Sequence, residues 1–436
     1  MSKTLSLCLI TKDCHEYIRT CLESVKNIAD EIIIIDTGSI DNTKKIANEF
    51  KAKVFDFKWN NNFSEVRNFA LSKVSSDWIL ILDTDEVLKL KDPEQNTIKE
   101  IINKDYGDKT PFYFVDIFTY TKKGHEKKPE FYQKKIRLFP KNDNIKFVNP
   151  IYEEITHPKG IEKIESFYDS NFAILHFQKG GAKEKSKRNV LIIKDELKKN
   201  PHSFYMSYCM GKECLNYDLF EKALKYYRNA LEVDDDKDEI YLSEICTDII
   251  ELMYKNGNLD EALNECIRRE KMCEINHRYW FLYAYIALLK GDLFQAEKNL
   301  LKAISLDNLA DKVIQPIELI TWKPYLLLGY TYLRLNEFQK AKECFEKCIE
   351  YNKNHWLLLF YLSITYKELK DYTSSEEYIN ACELIVPEQY KRNIQFTMFL
   401  MNVMSGNFEK ANDIIIEIVK EIEEENEMQL QLIDYD

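Results

Sequence analysis

Between residues 5 and 83, four short apolar runs alternate with three stretches of helical period, and few folds accept that order. The runs are LSLCLIT (5–11), EIIIID (31–36), AKVFDF (52–57) and WILILD (78–83). Between them, Tyr17, Ile18, Cys21, Leu22 and Val25 keep a helical spacing, as do SIDNTKKIANEF (39–50) and SEVRNFALSKV (64–74). EIIIID is almost continuously β-branched, which suits a strand covered on both faces. A Ser or Asp stands ready to cap the helix that follows it. Strand–helix alternation at this spacing predicts a parallel sheet covered by helices.

After Asp92 the pattern changes. PFYFVDIFTY, KKIRLFP, IKFVNP and FAILHF replace the alternation with β-rich segments. The N-terminal part therefore reads as an α/β fold, a nucleotide-binding parallel sheet joined to a mixed β half. From about residue 184 onward the chain reads as helix, with an internal repeat of small and aromatic residues. Gly211, Ala223, Tyr227 and Ala230 fill the slots in one copy, and Gly329, Tyr332, Ala341, Phe345 and Cys348 in another. Further copies place their small residue at Ala262, Ala296, Ser375 and Ala411. This pattern resembles the tetratricopeptide repeat. The expected divisions are 1–182 for the α/β domain, 183–202 for a linking helix, 203–420 for an all-α superhelix of repeats, and 421–436 for an acidic tail.

Charge separates the same parts. Residues 1–200 hold 35 Lys and Arg against 31 Asp and Glu, whereas residues 201–436 hold 26 against 42. The acidic half argues against nucleic acid, whose phosphates it would repel. It tolerates a basic peptide, though an acidic helical surface is also an ordinary solvated one. Eleven cysteines without a CxxC pair behave as small buried hydrophobes and suit a reducing, cytoplasmic setting. No stretch is long and apolar enough to span a membrane.

The chemistry concentrates in WILILDTDE. In an open α/β sheet, ligands bind beyond the carboxyl ends of strands. There Asp83 and Asp85 sit one residue apart and repel each other unless a cation or hydrogen-bonding ligand intervenes. Mg²⁺ and Mn²⁺ bind through one or two carboxylates plus substrate phosphates, so the pair reads as a metal–diphosphate site; a solvated acidic turn is the alternative. Asp36 ends EIIIID at the same sheet edge, either facing a ligand or capping the next helix, and Thr11 and Lys12 form a third corner. No GxGxxG, GxxxxGK[ST] or GxSxG is present.

Taken in order, LSLCLITKDCHEYIRTCLESV, EIIIIDTGSIDNT, FSEVRNFAL and WILILDTDE resemble the family 2 glycosyltransferases of the GT-A fold over roughly residues 4–180. With the repeats attached, the chain is similar to the branch that includes sublancin-type peptide S-glycosyltransferases. The resemblance implies a UDP-sugar donor, a divalent metal (Mn²⁺ or Mg²⁺), inversion at the sugar, and a peptide or protein acceptor. It also implies that Thr11, Lys12, Glu16, Asp36, Arg67, Asp83 and Thr84 line the nucleotide site and that Asp85 ligates the metal. His176 occupies the position of a further metal ligand, or is a satisfied core histidine. Where that branch often has His-Glu, this chain has Tyr152 and Glu153 in NPIYEEI, which makes Glu153 the candidate general base, with Glu154 or Asp116 as substitutes and an exposed loop glutamate as the plain alternative. Arg67 is otherwise a surface residue of an amphipathic helix. KEKSKRN (183–189) is either a solvated helix start or brings Lys187 or Arg188 over the diphosphate. Homodimerisation through the repeats, a cell-envelope polysaccharide acceptor, and a scaffold with an inactive sugar-nucleotide domain are the rival expectations.

Overall fold

The computed structural model describes residues 2–92, 97–107, 109–121, 128–156, 165–178, 182–233, 238–273, 276–306, 314–407 and 409–420. The expected acidic tail, 421–436, lies outside them. The first elements are β1 (Leu5–Thr11), α1 (Ile18–Val25), β2 (Glu31–Asp36), α2 (Thr43–Glu49), β3 (Lys53–Asp56), α3 (Phe63–Lys73) and β4 (Trp78–Ile81). Strands β3, β2, β1 and β4 lie side by side and parallel. Alternate residues serve opposite faces, as the pleat requires. Leu5, Leu7, Leu9 and Leu80 pack with Ile18, Leu22 and Ile46 on one face. Cys8, Ile33, Ile35, Ile79 and Ile81 pack with Val66 and Ala70 of α3 on the other. Helix α3 starts where the Asn62 side chain accepts the Glu65 amide.

The chain continues as β5 (Glu86–Leu90), α4 (Thr97–Asn103), β6 (Pro111–Tyr120), β7 (Phe131–Pro140), β8 (Lys146–Val148), β9 (Glu154–Thr156) and β10 (Glu165–Phe177). Among the described residues the sheet runs β3-β2-β1-β4-β7-β6-β10-β5, and β8 pairs with β9 apart from it. Strand β7 lies antiparallel to both β4 and β6, so the parallel half passes into a mixed half. Three strands escape the sequence reading: β9 and β11 (Gln315–Pro316, paired with β7) have three and two residues, and β5 follows β4 directly across the acidic turn.

Helices α5 (Ala182–Lys199), α6 (Phe204–Leu215), α7 (Phe220–Glu232) and α8 (Glu239–Lys255) follow. Two compact units result: Met1–Leu252 with Asp307–Ile317, and Met253–Leu306 with Glu318–Asp436. Compactness thus divides the chain three residues before the end of α8, whereas the sequence pattern changes near residue 183. The second unit contains α9 (Leu259–Arg269), α10 (His277–Leu289), α11 (Leu293–Ser305), α13 (Lys323–Arg334), α14 (Phe338–Asn352), α15 (Trp356–Glu368), α16 (Tyr372–Glu383) and α17 (Glu388–Ser405), while the short α12 (Ile317–Ile320) begins at the junction.

The repeat pattern has a steric cause. A Cβ on Gly211 would lie 2.2 Å from the Tyr227 ring, and one on Gly329 would lie 2.5 Å from the Phe345 ring. Only glycine lets the aromatic residue of the partner helix lie against the backbone. Ala223, Ala262, Ala296, Ala341, Ser375 and Ala411 are all buried. All eleven cysteines are buried thiols. Among the described residues, no helix is long and apolar enough to cross a membrane.

Candidate active site

The turn DTDE closes at the end of β4, where the Glu86 amide donates to the Asp83 carbonyl at 3.0 Å. It leads directly into β5, and β5 pairs antiparallel with β10 so that His176 stands opposite Glu86. This register is what carries a histidine ninety residues away to the acidic turn. The Phe177 amide donates to the Asp85 carbonyl at 2.8 Å and locks it there.

The carboxylates of the turn do not face one another unaided. Asp83 Oδ1 accepts from Arg67 Nη2 at 2.6 Å, and Arg137 Nη2 lies 3.5 Å from Asp83 Oδ2. Glu86 accepts from Arg137 at 2.6 Å and from the Asp83 amide at 2.8 Å. Although burial works against its charge, Arg67 and then Arg137 hold the Asp83 carboxyl well below the ordinary range. Burial, opposed by Arg137 and reinforced by Asp83, pushes the Glu86 carboxyl up. Two arginines of the chain itself thus compensate the charge of Asp83. Arg137 escaped the sequence reading, since nothing local marks a residue of β7 as a partner of the turn.

Asp85 has a different set of neighbours. Its Oδ2 lies 3.7 Å from His176 Nε2 and 3.7 Å from Lys185 Nζ on α5. His176 Nδ1 is within 3.1 Å of Thr119 Oγ1, which leaves Nε2 as the atom turned toward Asp85. A carboxylate oxygen and an imidazole nitrogen are donors that Mn²⁺ or Mg²⁺ accepts, together with substrate phosphates. Among the described residues no group of three or more His, Cys, Asp or Glu could hold a metal ion alone. Asp85 and His176 thus fit a metal that takes its remaining ligands from a diphosphate. Lys185 of the basic cluster 183–189 reaches this turn, while Lys187 and Arg188 are exposed, with Arg188 over the Phe63 ring at 4.8 Å.

Arg67 joins the turn to the candidate base. Its Nε donates to Glu153 Oε1 at 3.0 Å while Nη2 holds Asp83, so one buried guanidinium bridges both carboxylates. The neighbouring Asn68 holds the β8 strand, giving to the Phe147 carbonyl at 2.9 Å and accepting the Phe147 amide at 2.8 Å. The RN pair of FSEVRNFAL therefore works as a unit. Tyr152, in the slot where the branch often has histidine, donates to Glu213 at 2.5 Å. Glu154 accepts from the Tyr241 hydroxyl. Asp116 is bonded to Tyr132 and Tyr168 at 2.8 and 2.6 Å.

The remaining candidates lie at the ends of β1 and β2. Thr11 Oγ1 donates to Asp36 Oδ2 at 3.2 Å, and Asp36 Oδ1 accepts the Gly38 and Ser39 amides at 3.0 and 2.9 Å. Asp36 is fully buried, and its bonds close its own turn rather than cap α2. Lys12 and Glu16 are exposed on the loop after β1. Thr84 is buried within the acidic turn.

A cavity of about 380 Å³ adjoins Asp83 and Glu153. Arg67, Lys135 and Arg137 line its sheet side, and Tyr205, Tyr208, Lys212 and Tyr241 its helical side. Burial, and Arg137 after it, lower the Lys135 pKa.

Residues 6–152 match Glycosyl transferase family 2. This part of the chain is a family 2 glycosyltransferase domain. Residues 277–308 and 323–355 match the Tetratricopeptide repeat, covering α10 with α11 and α13 with α14. The chain is 29% identical over 184 residues to an uncharacterized glycosyltransferase of Rickettsia bellii, covering 41% of this chain and 60% of that one. It is 24% identical over 236 residues to the SPbeta prophage-derived glycosyltransferase SunS of Bacillus subtilis, covering 52% and 53%. A TPR repeat-containing protein of Synechococcus elongatus is 47% identical over 87 residues, 20% of this chain and 22% of that one. The chain thus spans between half and two thirds of the length of these two glycosyltransferases. The family 2 match ends at Tyr152, one residue before Glu153.

Proposed function

We propose that the chain transfers a sugar from a UDP-sugar to a side chain of a peptide or protein, with inversion and with the help of Mn²⁺ or Mg²⁺. The observation that carries this reading is the Arg67 bridge. It ties Asp83, on the turn that also holds Asp85, to Glu153 at the cavity. Asp85 and His176 would hold the metal, which supplies positive charge to the departing diphosphate. Lys185 adds charge of the same sign beside them. Lys12 and Glu16 are accessible to the nucleotide, whereas Thr11 and Asp36 shape the turn beneath it. Arg67 fixes Glu153 by one oxygen and leaves the other to take a proton. That proton comes from the acceptor hydroxyl or thiol as its oxygen or sulfur bonds to the anomeric carbon and the bond from that carbon to the diphosphate breaks. The repeats motivate the choice of a polypeptide acceptor, because stacked helix pairs offer surfaces suited to peptides.

The test is UDP release from a panel of UDP-sugars with and without Mn²⁺. Asp85→Ala should lower metal-dependent turnover by about 100-fold or more, with the circular dichroism unchanged. Near-normal turnover would refute the metal assignment. Label passing from the donor into protease-sensitive material supports the polypeptide acceptor, and label confined to polysaccharide overturns it.

A further inference from the structure

The segment bearing Glu153 takes an unusual path. Asn149 has φ +70° and Tyr152 has φ +52°, left-handed values that a bulky aromatic residue adopts only when its surroundings impose them. Those surroundings are the first repeat helices. The Tyr152 hydroxyl donates to Glu213 Oε1 at 2.5 Å and accepts from Asn189 at 3.2 Å. The Tyr152 carbonyl accepts from the Tyr205 hydroxyl at 2.9 Å. Two residues on, Glu154 accepts from Tyr241. Residues 152 and 154 are thus both held by the helices, and Glu153 between them accepts from Arg67 Nε at 3.0 Å.

Glu213 is the centre of this anchor. It is 1% exposed, and its carboxylate accepts from Tyr152, Ser186, Asn189 and Asn216, all uncharged donors. Burying a carboxylate is costly, and an apolar residue of similar volume would pack two helices at lower cost. Its donors come from α5, α6 and the Glu153 segment at once, which is what joining that segment to the repeats requires. Burial, with Glu213 beside it, raises the Tyr152 pKa and keeps the phenol a donor.

We propose that Glu213 is a positioning residue that orients Glu153 through Tyr152, so that helix α6 is part of the transfer machinery and not only a docking surface. This rests on Glu153 being the base. The test uses the full chain, the UDP-sugar found active in the donor panel, and four variants: Tyr152→Phe, Glu213→Gln, Tyr227→Phe and Glu153→Gln. Tyr227→Phe is the matched control, since Tyr227 makes the same phenol-to-carboxylate bond, to Asp248 at 2.5 Å, away from the segment. Tyr152→Phe and Glu213→Gln should lower kcat at least tenfold with donor KM and UDP affinity unchanged. Amide exchange should quicken within residues 146–156, and Tyr227→Phe should keep wild-type kcat. Wild-type kcat in Tyr152→Phe overturns the proposal, as does an equal loss in Tyr227→Phe. If Glu153→Gln keeps its kcat while Tyr152→Phe loses it, the base assignment and the positioning role both fail. If Glu153→Gln is inactive and Tyr152→Phe is normal, only the positioning role fails.

Discussion

Replacing Arg67 by methionine removes two ion pairs at once and leaves the stem's packing in place. Arg67 is 6% exposed; its partners Asp83 and Glu153 have side chains 43% and 17% exposed. Breaking a buried pair by deleting one member costs about 3–5 kcal/mol. Asp83 is partly solvated and keeps Arg137 at 3.5 Å, so the lower end applies, about 3 kcal/mol. Opening of the sheet should then be roughly 150-fold more frequent, read as lost amide protection in peptides from β1 and β4. The effect should depend on pH. Asp83 titrates below its ordinary value in the folded protein, so its contribution is complete above the unfolded carboxylate pKa and is lost as pH falls through the folded one. The deficit in Arg67→Met should therefore shrink between pH 7 and pH 2, most of the change falling below the unfolded carboxylate pKa of about 4. A loss of protection under threefold, or one equal at both pH values, would refute the reasoning.

Two other outcomes follow from the packing and the charges. Gly329→Ala should cost about 1–3 kcal/mol by overpacking against Phe345, seen as a lower thermal midpoint that Phe345→Leu partly restores. Glu31, its pKa lowered to about 2 by Lys53, Ser6 and Ser75 against the opposing effect of burial, should stabilise the fold by up to about 3 kcal/mol above pH 4.5. That contribution should disappear as pH falls toward 2, so wild type and Glu31→Gln should differ in urea unfolding at pH 6 and converge near pH 2.

What the sequence discloses depends on the range over which each signal acts. Strands β1, β2, β3 and β4 and helix α3 follow from local period, because each buries a regular face in its own core. Gly211 and Gly329 are legible as repeat glycines, since the aromatic residues that need them stand a fixed sixteen positions on. The short β9 carries no period of its own. The acidic turn, Arg67 and the basic stretch that contains Lys185 are visible, but Arg137, which arrives from β7, is not. Glu213 has no motif around it and is buried among donors from three segments. Such residues are defined by the fold and have no local signature.

The boundary within α8 has a consequence for how relatives of this protein can vary. A solenoid ordinarily gains or loses hairpins at little cost, since each touches only its neighbours. Here the hairpin of α6 and α7 belongs to the same compact body as the sheet. Lineages are free to lengthen or shorten the array beyond Leu252, while the hairpin next to the sheet must be inherited with it as one piece.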